Sequence, residues 1–274
     1  MKLADALQVV IRSDPGVVRS HNEDSVFGSA EQGLVILADG MGGYNAGEVA
    51  SGMAITLLSS NLLQTIPQIE PQAINPETGQ RLAHHHLTEQ VALTNTSIYQ
   101  SAQSQPQYAG MGTTLVMAWF YDNVASVAHI GDSRLYRLRG EEFQQLTRDH
   151  SLLQEQIDSG MISAEEARFS QNKNLVTRAL GVDPEVELEI HDYDVLPGDI
   201  FLLCSDGLND MVEDEEIGTT VQMLQNNLEL AGDQLIQMAN DNGGRDNVSV
   251  ILVKVRGDFA APRRWWQKLL AWLK

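Results

Sequence analysis

Carboxylates recur in this chain at the ends of apolar runs. Leu34-Val35-Ile36-Leu37-Ala38 reads as a buried strand that ends at Asp39 and dissolves into Gly40-Met41-Gly42-Gly43. Val124 to Ile130 is followed by Gly131-Asp132-Ser133-Arg134, and Ile200 to Cys204 by Ser205-Asp206-Gly207. Gly244-Arg245-Asp246-Asn247 precedes the apolar run Val248 to Val255, and Asn22-Glu23-Asp24 precedes Ser25-Val26-Phe27. One Asp-Gly is an ordinary hairpin turn. Repeated in this way, the strands would carry Glu23, Asp24, Asp39, Asp132, Asp206 and Asp246 to one edge of a core. Like charges gathered there are costly unless cations neutralise them. An oxygen-only donor set, without a cysteine cluster or suitably spaced histidines, selects Mg²⁺, Mn²⁺ or Ca²⁺ rather than zinc.

Competing chemistries fail on particular residues. Gly42 and Gly47 have Walker A spacing, but Glu48-Val49 stand where Lys and Ser/Thr are required. Gly40 and Gly42 begin a dinucleotide fingerprint, and Asn45 occupies the place of its third glycine. The single cysteine, Cys204, has Asp210 six residues on, where a cysteine phosphatase loop needs Arg. It reads instead as a small buried hydrophobe. No Gly-X-Ser-X-Gly elbow marks a serine nucleophile. A net charge of −19 over 274 residues argues against nucleic acid as a partner.

The elements follow from periodicity. Strands are expected at Gln8–Arg12, Leu115–Tyr121, Val124–Ile130, Leu135–Leu138, Ile200–Cys204 and Val248–Val255, with Asp122-Asn123 as a hairpin turn. Short turns between neighbours predict antiparallel sheet. A helix capped by Asn45 should run to about Leu63, with Val49, Met53, Ile55, Leu57 and Leu58 mostly inward. A second is expected from about Arg81 to Gln103, carrying His84-His85-His86, which splay around it and cannot share one metal. Two acidic helices are expected at Asp214–Gln225 and Gly232–Asn240. Residues 149–181 are polar, with helical patterns at Leu152–Ile157 and Ala164–Phe169, and read as an insertion over the main fold.

The last nineteen residues differ from the rest. From Arg256 to Lys274 there are five basic residues and one acid, and Trp265, Leu269 and Trp272 share one helical face. An amphipathic tail of this kind has two readings: docking on an anionic membrane surface or a partner protein, or a terminal helix packed on its own acidic domain. Asp5 and Gln8 interrupt any signal-peptide core, so the expected location is cytoplasmic, peripheral to the inner membrane face through the tail.

The ordered set Arg19…Asn22-Glu23-Asp24, Asp39-Gly40-Met41-Gly42-Gly43, Gly131-Asp132-Ser133-Arg134, Ser205-Asp206-Gly207 and Gly244-Arg245-Asp246-Asn247 resembles the metal-dependent protein phosphatases of the PP2C (PPM) family. The likeness is to compact bacterial members, and it spans about residues 8 to 255. It implies an α+β fold: a four-layer αββα sandwich of two mostly antiparallel sheets, with residues 1–255 as catalytic domain and 149–181 as a flap beside the site.

The resemblance also implies two or three Mn²⁺ or Mg²⁺ ions. Asp39 would bridge two of them, with Glu23 and the Gly40 carbonyl on one and Asp206 and Asp246 on the other. Asp132, with Asp206, matches the position of a third. Asp24 and Asn247 would support the ligands, and Arg19 would hold the substrate phosphate through its donor fork. The implied activity is hydrolysis of phosphoserine and phosphothreonine in proteins, by a water held between two cations attacking phosphorus. Alternatives are a catalytically silent phosphoprotein-binding or metal-sensing module of the same fold, and a hydrolase of small phosphate esters. Met41 stands where some relatives carry a proton-donating His, which leaves a water at the Asp132 position as the expected donor. A monomer acting on phosphorylated proteins is the expected state.

Overall fold

The computed structural model describes residues 2–43, 46–167 and 175–261. The basic tail from 263, the Asn45 cap and the end of the second flap helix lie outside the described residues. The strands are β1 (Leu7–Asp14), β2 (Asp24–Ser29), β3 (Leu34–Met41), β4 (Gly112–Thr113), β5 (Leu115–Tyr121), β6 (Val124–Ile130), β7 (Arg134–Arg139), β8 (Glu142–Gln145), β9 (Glu189–Asp194), β10 (Ile200–Cys204) and β11 (Val248–Val255). One sheet has the order β1-β11-β10-β7-β8; the other has β2-β3-β5-β6-β9, with β4 on β3. Every named pairing is antiparallel.

Side-chain alternation divides the core into the expected layers. Along β3, Leu34, Ile36 and Ala38 face the helices, whereas Val35 and Leu37 face the other sheet. Along β10, Ile200, Leu202 and Cys204 face helices, and Phe201 and Leu203 face inward. Strands covered on both sides read as continuous apolar runs, which is why they stood out in the sequence.

The helices are α1 (Leu3–Ala6), α2 (Ala46–Thr65), α3 (Leu82–Ser104), α4 (Leu152–Asp158), α5 (Ala164–Ala167), α6 (Asp206–Asn209), α7 (Asp214–Met223) and α8 (Leu228–Asp241). Helices α2 and α3 cover the six-stranded sheet, and α7 and α8 the five-stranded one. The architecture is the αββα sandwich. His84 and His86 diverge as expected, one 2.8 Å from Asp192 and the other 2.7 Å from Thr65.

Three readings need correction. The buried face of α2 is Ala46, Gly47, Ala50, Ser51, Ala54, Leu58 and Leu62, while Val49, Met53 and Ile55 pack only at its margins. Small residues let the helix backbone settle onto β3. Helix α8 begins at Leu228, four residues before the expected Gly232, because Asn227 caps it by accepting from Leu230 N–H. Strand β1 extends beyond Arg12 to Asp14, since its ladder with β11 continues to Val248.

The closest approach of α2 to β3 is at Gly40 and Gly47. A Cβ on Gly40 would lie 2.2 Å from the Gly47 carbonyl oxygen, and one on Gly47 would lie 2.9 Å from Glu23 Cδ. Gly47 is therefore there for packing under the acidic loop. Gly40→Ala is expected to lower stability by about 2–4 kcal/mol in urea denaturation, through overpacking against main chain.

Candidate active site

Sheet register brings the carboxylates together. Asp24 begins β2 and is paired directly with Asp39 near the end of β3. Asp132 lies in the turn between β6 and β7, Asp206 follows β10 as the first residue of α6, and Asp246 precedes β11. The strand ends thus gather Asp24, Asp39, Asp132, Asp206 and Asp246 at one edge of the sandwich. Each of the other four raises the pKa of Asp39 by its charge.

The main chain that presents Asp39 is fixed on both sides. Its N–H donates to Thr114 Oγ1 at 3.1 Å, and its carbonyl accepts from Thr114 N–H and Thr113 Oγ1, both at 2.8 Å. Gly40 N–H donates to the Glu23 carbonyl at 3.1 Å. Glu23 N–H donates to Asn247 Oδ1 at 2.8 Å, and Asn247 Nδ2 donates to the carbonyls of Pro15 and His21. Asn247 therefore ties the Glu23 loop to the Asp246 loop. The Glu48 backbone at the start of α2 acts against burial, lowering the Glu23 pKa.

Behind this edge runs a chain of hydroxyls that the sequence did not announce. Ser205 Oγ donates to Asp24 Oδ2 at 2.8 Å and accepts from Ser249 N–H at 2.9 Å. Ser249 Oγ lies 2.8 Å from Ser13 Oγ, to which Asn22 donates. Thr114 Oγ1 and Ser133 Oγ are 2.7 Å apart beneath the Asp132 turn. A Ser or Thr beside a strand has no pattern of its own, so only the register reveals these partners.

The electrostatics are those of an under-neutralised acidic centre. Burial, then repulsion from Asp24, Asp206, Asp132 and Asp246, holds Asp39 well above the usual carboxylate range. Asp206 is raised in the same way, by burial and then by Asp132, Asp210 and Asp246. Burial pushes Asp24 up to about 6 against two serine hydrogen bonds, and Asp132 up to about 6 with Asp149 and Asp210 adding to it. Burial also raises Glu23, opposed by Arg19.

The guanidinium groups nearby pair at the margins of the set. Arg134 forms a bidentate pair with Asp149 at 2.7–3.0 Å. Arg19 donates to Asp246 Oδ2 at 2.7 Å from an exposed position on the rim, and so stands beside the acids rather than among them.

Asp24 Oδ1 is buried without a hydrogen-bond donor. Buried, mutually repelling carboxylates with an orphaned oxygen and all-oxygen chemistry fit divalent hard cations. Glu23, Asp39, Asp132, Asp206, Asp246 and the Gly40 carbonyl are the groups available to hold them. A cleft of 710 Å³ opens beside Asp132 and Asp206, running past Asp149 and Asp214 to Ser151 and Leu153 at the start of α4.

Comparisons with known proteins agree with this geometry. A family model described as Protein phosphatase 2C matches residues 17–249. The serine/threonine phosphatase stp of Listeria welshimeri is 40% identical over 246 residues, 89% of this chain and 94% of that protein. The crystal structure of the serine/threonine phosphatase PstP/Ppp of Mycobacterium tuberculosis is 38% identical with a TM-score of 0.81, covering 91% of this chain and 99% of its own. A structure of the PstP catalytic domain in complex with two manganese ions is 39% identical, with a TM-score of 0.76 over 91% of this chain and 98% of its own.

Proposed function

Since the chain belongs to the protein phosphatase 2C family, we propose that it hydrolyses phosphoserine and phosphothreonine in proteins, using Mn²⁺ or Mg²⁺ held at the carboxylate edge. The observation that carries this reading is the convergence of Asp39, Asp132, Asp206 and Asp246, in which burial and acidic neighbours hold Asp39 and Asp206 well above the usual carboxylate range while Arg19 pairs only with Asp246 at the rim. A silent binding module would have no need to keep so costly a set intact. Manganese in a related catalytic domain supports the same choice of ion.

Cations bound there supply Lewis-acid activation of water and screening of phosphate charge. The protein's own contribution is rigidity and orientation. The Thr113–Thr114 and Asn247 hydrogen bonds hold Asp39, Glu23 and Asp246 in place before any substrate arrives. Arg19, at the rim, takes the phosphate oxygens through its planar donors, exchanging its contact with Asp246. Met41 cannot give a proton to the leaving oxygen, so that proton comes from water.

Arg19→Ala is expected to raise KM for a phosphopeptide about tenfold while kcat falls about threefold or less, as suits loss of a charge-assisted contact made in both ground and transition states. Steady-state kinetics with a phosphothreonine peptide measure this directly. The reading of substrate class is tested by comparing kcat/KM for phosphothreonine peptides with that for small phosphomonoesters. The cleft leads to an expectation of at least about tenfold preference for peptide. Equal or greater efficiency on small esters would favour the small-molecule hydrolase instead.

A further inference from the structure

A histidine pair lies directly behind the Asp132 turn. His129 on β6 is paired across the ladder with Glu189 on β9, and its ring stacks on His150 at 4.7 Å, with 19° between the planes. Both histidines are buried. His150 stands at the root of the flap. Its N–H donates to the Gly131 carbonyl at 2.9 Å, its carbonyl accepts from Thr177 N–H at 2.8 Å, and Gly131 N–H donates to its Nδ1 at 3.2 Å. One residue thereby joins the turn that presents Asp132 to both arms of the flap.

The hydrogen bonds fix the protons. A backbone N–H can only donate, so His150 Nδ1 carries a lone pair and the ring proton sits on Nε2, 3.2 Å from Glu189 Oε2. His129 Nε2 lies 2.8 Å from the Arg148 carbonyl, which can only accept, so that nitrogen carries its proton. The ligand atoms of His129, His150 and Glu189 lie within 4.8 Å of one another, a spacing suited to a transition metal. A metal on His150 Nε2 would leave Nδ1 accepting from Gly131 as an imidazolate, since metal-bound histidines ordinarily donate from the other nitrogen. The cluster is built for hydrogen bonding.

We propose that His150, held in its Nε2-protonated form by Glu189, is a positioning residue that sets the Gly131–Asp132 turn and so the cation affinity at Asp132. It acts through Asp132 and does not touch substrate. The inference rests on the reading of Asp132 as a cation ligand. The Thr114–Ser133 hydroxyl pair also lies beneath the turn, whose conformation depends on Gly131: its φ is +103°, a region that favours glycine, and a Cβ there would meet Thr114 Cβ at 2.8 Å. Loss of the His150 acceptor would leave a buried N–H unpaired at that point.

Two amide substitutions separate the ring nitrogens. In His150→Asn the side-chain oxygen can replace Nδ1 and accept from Gly131; in His150→Gln the amide reaches instead towards Glu189. The probes are the Mn²⁺ concentration for half-maximal hydrolysis of p-nitrophenyl phosphate, Mn²⁺ binding by calorimetry, and hydrogen exchange of the Gly131 amide. His150→Gln is expected to weaken Mn²⁺ binding about tenfold and to speed Gly131 exchange about tenfold, with kcat at saturating Mn²⁺ within about threefold of the parent. His150→Asn should stay within about threefold of the parent in all three.

Equal behaviour of the two variants, or unchanged Gly131 exchange in His150→Gln, would overturn the proposal. If both histidine variants unfold, Glu189→Gln decides: it should weaken Mn²⁺ binding about threefold, and no change would overturn the assignment. If the parent protein releases no phosphate, the proposed function fails, but calorimetry and exchange still decide the role of His150.

Discussion

Asp39→Asn is expected to cut metal-dependent phosphate release about a thousandfold, about 4 kcal/mol of transition-state stabilisation, while making the chelator-treated protein more stable than its parent. The two effects have opposite signs because one charge serves two balances. With cations present, Asp39 is the acid at the middle of the set, feeling Asp24, Asp206, Asp132 and Asp246 together. Its removal takes away the group best placed to be shared between ions. Without cations, those same neighbours make the Asp39 charge a burden, and the isosteric amide relieves it without opening a cavity. The check is kcat/KM with Mn²⁺, beside thermal melts in chelator. An active Asp39→Asn enzyme, or one less stable than the parent in chelator, would contradict this placement of the cations.

Chelation should also make stability fall as pH rises, against the usual trend for acidic proteins below neutrality. Asp24 and Asp132 each titrate near about 6 in the folded chain, against an ordinary 3.8. Below the lower value both folded and unfolded states hold the proton, and neither group costs anything. Between the two values the folded state holds protons that the unfolded state has released, so stability declines with pH until both groups are charged. The full penalty is about 3 kcal/mol per group before relaxation. Asp39 and Asp206, raised further by burial and their neighbours, extend the decline to higher pH. Bound Mn²⁺ removes the penalty. The gap in melting temperature between Mn²⁺-loaded and chelated protein is therefore expected to be about 10 °C or more near pH 8, and less than half that near pH 5. A gap independent of pH would mean that the carboxylates are not what the cation neutralises.

How much of this was legible beforehand depended on whether burial leaves a mark in the sequence. Leu115–Tyr121, Val124–Ile130, Ile200–Cys204 and Val248–Val255 were bounded correctly, since strands covered on both faces are unbroken apolar runs with polar ends. Asp122-Asn123 gave the hairpin away, and both residues adopt positive φ, +46° and +56°. Edge strands β8 and β9 were not expected at all: Glu142–Gln145 and Glu189–Asp194 are short and half-exposed, so their composition is that of a loop.

The acids were legible because they sit at strand ends, Asp39, Asp132 and Asp206 directly against glycine. Their partners were not. Ser205, Ser249, Thr114 and His150 matter only through residues far along the chain, as in the separation of 181 in sequence between Asp24 and Ser205. The α2 face was misjudged for a related reason. Its buried side is chosen by how near Gly47 must come to Gly40, and bulk at Val49 or Met53 says nothing of that.

The most direct measurement is phosphate release from a phosphothreonine peptide by protein stripped with chelator, before and after Mn²⁺ is restored. The expected result is no turnover in the stripped protein and full recovery with Mn²⁺ or Mg²⁺, at a concentration matching the ion's measured binding. Turnover that persists in chelator, or a protein that binds Mn²⁺ tightly and still releases no phosphate, would contradict the claim that the carboxylate edge is a metal-dependent phosphatase centre.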